Sequence, residues 1–248
     1  PLITDIRDLD EQLPGAQYQS HRQWWARPFR NWYRAVNIRR RNQVLRHADQ
    51  VTTISPWHVD FIRPLNKNVE LIYNGYDPAQ FYAQDIATNT FQISYIGKIY
   101  EFQNTYLIEQ AIRELDLPNI KLNLHTPDYL PIPLDRVGDE LRQSSIAIVL
   151  TNPNAHGMMT TKFFEALGCE KPILCVPTDN GLLAQTIRET NAGLASSDIN
   201  DIKEFILDKY HEWQKKGFTR QAVINKEQFS REKQAQQFEQ LFFDTSKH

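Results

Sequence analysis

The sequence predicts an α/β chain built on parallel sheet, and three observations carry the prediction. Short apolar runs alternate with helical patterns over roughly 150 residues, as in successive strand–helix–strand crossovers. Ile146-Ala147-Ile148-Val149-Leu150 is a nearly continuous apolar run, as expected of a strand buried on both faces. Leu107, Ile108, Ala111, Ile112 and Leu115 recur at helical spacing and form one stripe. At 248 residues the chain is long enough for about one and a half to two domains.

The elements follow in order. Residues 2–6 read as a short strand, and a helix is predicted over 28–47. Pro28 suits its first turn, and Phe29, Trp32, Tyr33 and Val36 keep helical spacing. A β-branched strand at 51–54 runs into Ser55-Pro56 and a short helix over 57–63. Another strand covers 69–73, and Asn74-Gly75 is a strong turn signal that marks a domain junction. Beyond it, strands are predicted at 92–96, 120–125, 146–150 and 172–176. Helices are predicted at 104–115, 134–143, 161–167, 181–190, 199–215 and 229–243.

Composition narrows the class. Apolar residues make 41% of the chain and charged residues 23%, with net charge −2, so a core can close and disorder is excluded. No run of 18 or more apolar residues predicts a membrane-spanning helix. Cys169 and Cys175 are too few for a disulfide framework, and the seven histidines show no zinc-like pairing. The charge is uneven. Residues 1–80 carry 11 Lys/Arg against 8 Asp/Glu, whereas the remainder carries 17 against 22. Eight arginines and no acid fall within 21–48.

In a parallel sheet, ligands bind beyond the carboxyl ends of the strands, where strand order reverses. Two loops there carry chemistry. In Tyr95-Ile96-Gly97-Lys98, Gly97 permits close approach of a ligand to the backbone and Lys98 supplies a charge for a phosphate. The second loop leads through His156, Gly157, Met158 and Met159 into a helix opening at Thr160 or Thr161. Free amides at such a start, with the helix dipole, favour an anion. Glu165, one turn inside, is placed to accept two ribose hydroxyls. A plainer reading makes Thr160 a simple cap and Glu165 an exposed helix acid.

Lys162-Phe163-Phe164-Glu165-Ala166-Leu167-Gly168-Cys169-Glu170-Lys171-Pro172-Ile173-Leu174 resembles the donor-site helix and following strand of retaining GT-B glycosyltransferases of the family 4 type (group 1 glycosyl transferases). Ala48-Asp49-Gln50-Val51-Thr52-Thr53-Ile54-Ser55 and Val69-Glu70-Leu71-Ile72-Tyr73-Asn74-Gly75-Tyr76-Asp77 resemble their interdomain passage. Tyr95-Ile96-Gly97-Lys98 resembles the strand end that opens their C-terminal domain, and Phe229-Ser230-Arg231-Glu232 their closing segment. The resemblance implies a Rossmann-like donor domain over 75–228 and a C-terminal helix over 229–248 returning toward the N-terminal domain. Residues 1–74 would be the rear part of an acceptor-side Rossmann-like domain, whose front is expected to be missing because the chain starts abruptly at Pro1.

It further implies transfer of a sugar, with retention, from a nucleoside diphosphate sugar of UDP or GDP type to a glycan or lipid-linked acceptor, in cell-surface polysaccharide or glycolipid assembly. Donor-binding residues would be Gly97, Lys98, Gly157, Met159, Thr160, Thr161, Lys162 and Glu165, with Asp5 and Arg7 on the acceptor side. No cofactor or metal is expected, because helix amides and lysine can carry the leaving charge. Two departures stand out. The family often has a second glutamate eight positions before Glu165, where this chain has Gly157, so His156 becomes the candidate for the donor sugar. The usual Arg and Lys of the first donor loop become Lys98 and Gln103, leaving Lys162 to supply a second cation. The catalytic residues are not assigned.

Trp24, Trp25, Arg27, Arg30, Trp32, Arg39, Arg40 and Arg41 suggest peripheral contact with anionic lipid, hence a cytoplasmic protein at the inner membrane face. Nucleic acid is not an expected partner at this charge and without a recognisable module. Two other readings remain open: a nucleotide-sugar epimerase on the same scaffold, and a catalytically degenerate nucleotide-sugar-binding module.

Overall fold

The computed structural model describes residues 1–12, 27–100, 103–152 and 157–245. They form two compact units: one holds the described residues through Asn74 with 157–159 and 234–245, the other those of 75–152 with 160–233.

In the first unit β1 (Ile3–Ile6), β2 (Gln50–Thr53) and β3 (Val69–Leu71) lie parallel in that order. α1 (Arg27–His47) leads into β2, and α2 (Pro56–Ile62) into β3. Ser55 starts α2: its extended backbone turns the chain, its Oγ accepts from the His58 N–H at 3.2 Å, and Pro56 takes the first helical position. Leu45, Ala48, Val51 and Ile62 make the core, with Ile6, Leu65 and Val69 against it. Asn66 donates from Nδ2 to the carbonyls of Leu45 and Ala48, at 2.8 and 2.7 Å, satisfying acceptors at the end of α1. The aromatic side chains that announce α1 are not what it buries. Phe29, Trp32 and Tyr33 are 66, 60 and 48% exposed, and burial falls at its last turns, around Leu45.

The second unit contains β4 (Phe91–Ile96), α3 (Tyr106–Leu115), β5 (Ile120–His125), α4 (Val137–Gln143), β6 (Ile146–Leu150), α5 (Thr161–Gly168), β7 (Ile173–Val176), α6 (Leu182–Glu189), β8 (Gly193–Ala195) and α7 (Ile199–Lys216). All five strands are parallel, in the order β5-β4-β6-β7-β8. The chain moves outward from β4 to β5, then returns to place β6 on the other side of β4. That reversal between β4 and β6 is the switch point at which doubly wound sheets bind ligands. Every residue of β6 is buried, as its apolar run requires. Phe91 packs edge-on to Tyr210 and Trp213 of α7, whose polar ends reach the Pro118 and Thr88 carbonyls at 2.9 and 3.1 Å.

Two predicted elements shift, each for a local reason, and one further strand forms only through its partner. The helix expected from residue 134 opens as a 3-10 turn, Leu134–Arg136, because Pro133 is extended and leaves the first turn uncapped. The last helix, α8 (Arg231–Thr245), begins after Ser230, whose Oγ accepts from the Lys233 N–H at 3.1 Å; Phe229 closes a preceding 3-10 turn. β8 was not predicted. Its three residues form a strand only because β7 supplies the pairing, Ile173 opposite Gly193.

Candidate functional site

The site is built at the carboxyl ends of β4 and β6. β4 stops at Gly97, whose φ of +135° suits glycine and whose N–H donates to the His125 carbonyl at 2.8 Å. The Tyr95 hydroxyl donates to the Lys98 carbonyl at 2.7 Å, holding the start of the loop. Gln103 bridges the reversal: its Nε2 donates to the Leu150 carbonyl at the end of β6 at 2.8 Å, and its Oε1 accepts from the Tyr100 N–H at 3.1 Å. Lys98 is exposed, with its ammonium over the Tyr100 ring at 5.4 Å.

α5 opens beside this strand end. Thr160 has the extended backbone of a cap, yet its side chain makes no capping bond. Among the described residues no side chain caps the first amides of the helix, and no acidic residue lies in the first turn. Phe163, Phe164, Ala166, Leu167 and Gly168 are buried and anchor the opposite face. Phe164 packs at 5.2 Å from Phe163 and 5.4 Å from Phe229, measured between ring centres.

Lys162 sends its side chain across Gly97. A Cβ on that glycine would meet the Lys162 Cε and stand 2.8 Å from Nζ. The ammonium lies 5.8 Å from the centre of the buried Tyr95 ring. Burial holds the Lys162 amine below the usual lysine range, against a smaller opposing pull from Glu165. Glu165 is half-buried rather than the exposed acid of the plainer reading. Burial raises its carboxyl, with the charges of Lys162 and Arg231 acting in the other direction.

The sequence candidates therefore divide. Gly97, Lys98, Thr160, Thr161, Lys162 and Glu165 belong to the second unit, and Gly97 meets Lys162 directly. Gly157 and Met159 belong to the first. A Cβ on Gly157 would stand 2.6 Å from the Trp57 Cβ and 3.0 Å from the Ser55 Oγ, so protein atoms take the space beside that glycine; Met159 is buried. His156 lies outside the described residues. Asp5 and Arg7 pair with each other at 2.7 Å at the end of β1, where Thr52 donates to Asp5 and Arg7 to the Asn74 side chain at 2.6 Å.

His58 escaped the sequence reading. It is fully buried, with Nδ1 at 2.8 Å from the Thr53 Oγ, whose own proton goes to the Ile6 carbonyl. The ring is then a neutral Nδ1–H tautomer whose Nε2 has no partner among the described residues. Burial, with the Arg41 charge adding to it, lowers its pKa to about 4. A lone histidine after Ser-Pro-Trp carries no pattern that would announce this. Among the described residues, no group of three or more His, Cys, Asp and Glu side chains could hold a metal ion, and no helix is long and apolar enough to cross a membrane.

A reversed parallel sheet with a helix start at its switch point is a Rossmann-like α/β arrangement, and the fold is that of GT-B glycosyltransferases. Solved structures similar to this chain are glycosyltransferases of that fold. Anabaena HepE, solved with UDP-glucose, matches at 15% identity and TM-score 0.64, over 84% of this chain and 68% of that one. S. aureus TarM, solved with ligands that include UDP, matches at 12% and 0.55, over 86% of this chain and 46% of TarM. A Rickettsia africae glycosyltransferase matches at 12% and 0.53, over 80% of this chain and 64% of that one. No family model matches the sequence, and no curated protein does.

Proposed function

We propose that the chain carries the nucleotide-sugar site of a retaining glycosyltransferase of the family 4 type, acting on a glycan or lipid-linked acceptor in surface polysaccharide or glycolipid assembly. The observation that carries this reading is the meeting of Gly97 and Lys162 beside the uncapped start of α5, at the reversal between β4 and β6. A nucleoside diphosphate suits that place. Its phosphates would take the free amides, the dipole and the lysines, and its ribose hydroxyls would reach Glu165, one turn into the helix. When the sugar leaves, negative charge grows on the diphosphate, and preorganised amides and cations stabilise it there without a resident metal. The likeness to HepE and TarM, solved with UDP-glucose and with UDP, supports a UDP-type donor. Retention, the family and the acceptor-side role of Asp5 and Arg7 rest on sequence resemblance.

In this reading α1 serves as the lipid-facing element of a cytoplasmic enzyme. Its exposed Phe29, Trp32 and Tyr33 lie with exposed Arg39 and Arg40. Arg41 does not join that face: it grips Glu11 through two bonds of 2.7 and 2.8 Å. Trp24, Trp25 and the side chains of Arg27 and Arg30 lie outside the described residues.

The test is a melting series with UDP, GDP, ADP and TDP beside the bare nucleosides. A ligand at a hundred times its dissociation constant adds about 2.7 kcal/mol to stability. One diphosphate should raise the melting temperature while its nucleoside does little. If none does at millimolar concentration, the reading falls.

A further inference from the structure

We propose that His125 works as an imidazolium whose proton latches the loop between β5 and α4 beside the nucleotide site. The inference rests on the reading that a nucleoside diphosphate binds at the carboxyl end of β4. It adds a positioning residue to that site and makes binding depend on one ring proton. His125 ends β5 opposite Ile96 of β4, and its carbonyl accepts the Gly97 N–H at 2.8 Å. The loop that follows therefore leaves the sheet at the same carboxyl ends as the site.

The ring has a neighbour at each nitrogen, and both neighbours are acceptors. Nδ1 stands 3.1 Å from the Leu130 carbonyl oxygen, and Nε2 stands 3.0 Å from Oε1 of Glu140 on α4. A neutral imidazole carries one N–H and one lone pair, so it satisfies one of these contacts and turns a lone pair toward the other oxygen. Both contacts close only when the pair holds an additional proton. Imidazole is a stronger base than carboxylate, which puts that proton on the ring and leaves Glu140 ionised. His125 is buried, so solvent does little to relieve a mismatched contact.

Leu130 shows what the latch holds. Its φ is +54°, a left-handed backbone that a leucine rarely takes, and it precedes Pro131, which favours extended backbone instead. Its side chain is 53% exposed, so packing does not keep it there. A hydrogen bond from the ring to its carbonyl does. Just before it, Thr126 and Tyr129 exchange backbone bonds of 2.9 and 3.1 Å, a closed turn that His125 and Glu140 tie to α4. Of the charged groups around the ring, Asp139 of α4 is taken by Arg136 and Arg142, and β4 carries none. Lys121 of β5 and Asp128 of the loop are exposed. Glu140 is the charge in contact with the ring, so it decides how firmly the proton is held.

The latched loop binds the proton and the released loop does not need it, so acid favours the latch and rising pH frees the loop. The experiment compares the full chain with Glu140→Gln. It reads backbone hydrogen exchange at Thr126 and Tyr129, corrected for the intrinsic rate, from about pH 5 to 8. In the parent, protection should fall about tenfold over that range, the loss of one charge-assisted bond. A glutamine amide donates to Nε2 itself, so a neutral Nδ1–H ring keeps Leu130 and protection in the variant should stay level. UDP affinity should drop more steeply over this range in the parent than in the variant. Level protection in the parent, the parent's slope persisting in Glu140→Gln, or superimposable UDP curves overturns the proposal. A parent that binds no nucleoside diphosphate refutes the functional reading itself, while the exchange data still decide the latch.

A second measurement needs no variant. Nitrogen NMR of the imidazole reads the proton directly. Both ring nitrogens of His125 should carry hydrogen while Thr126 and Tyr129 are protected, and one should lose it as protection falls. A bare ring nitrogen beside a fully protected loop overturns the assignment.

Discussion

Replacing Glu165 with glutamine separates what this carboxylate does for the ligand from what it does to the fold. The substitution keeps size and shape and removes the charge. A charged acceptor bonding a ribose hydroxyl contributes about 1.5–3 kcal/mol, so Glu165→Gln should weaken nucleoside diphosphate binding roughly ten- to a hundredfold. The effect on the empty protein has the opposite sign. Burial raises the folded pKa of Glu165 above its ordinary value of 4.5. The folded state then binds the proton more tightly than the unfolded chain, so this group favours folding at low pH and loses that contribution as pH rises through its folded pKa. At pH 7 the ionised, half-buried carboxylate is a net burden. Glu165→Gln should therefore melt at or above the parent temperature at pH 7, with the advantage vanishing near pH 4. Calorimetry with UDP and with an analogue lacking the 2′ and 3′ hydroxyls completes the assay: the parent should discriminate between them and the variant should not. Equal discrimination by both proteins would falsify the ribose assignment, and a lower melting temperature for the variant at pH 7 would refute the burial argument.

Two further outcomes follow from burial elsewhere. Phe164 is fully buried between Phe163 and Phe229, so Phe164→Ala should cost about 3–5 kcal/mol in a urea titration; a loss under 1 kcal/mol would mean that the rings repack freely. His58 has a folded pKa of about 4 against 6.5 when free, so the unfolded chain binds the extra proton first. Stability should fall by about 3 kcal/mol as pH drops from 6.5 toward 4. His58→Leu should flatten that slope, and an unchanged slope would assign the acid sensitivity to other groups.

Much of the architecture is legible in local pattern because each signal depends on few partners. The all-apolar run of β6 can only be satisfied between two covered faces, and the stripe of α3 puts Ile108 and Ala111 inward. The Ser55-Pro56 start of α2 is likewise local chemistry, a hydroxyl cap followed by a ring with preset φ. From such pieces the parallel sheet could be inferred. The donor-site resemblance was legible for a similar reason, because it lies in one contiguous helix and strand.

What only the tertiary structure decided are properties that depend on residues far apart in the chain. Gly97 and Lys162 stand 65 positions apart, and no spacing rule foretells that the arm of one fills the missing Cβ of the other. Glu165 reads as a surface acid on a helical wheel; its half-burial depends on what the folded chain places around that turn. β8 becomes a strand through β7, since three residues with a glycine cannot order themselves. The aromatics of α1 have helical spacing whether they face core or solvent, and the chain buried Leu45 instead. Spacing along the chain sets which side chains share a face, but exposure, desolvation and charge partners belong to the space between elements, and that space exists only after folding.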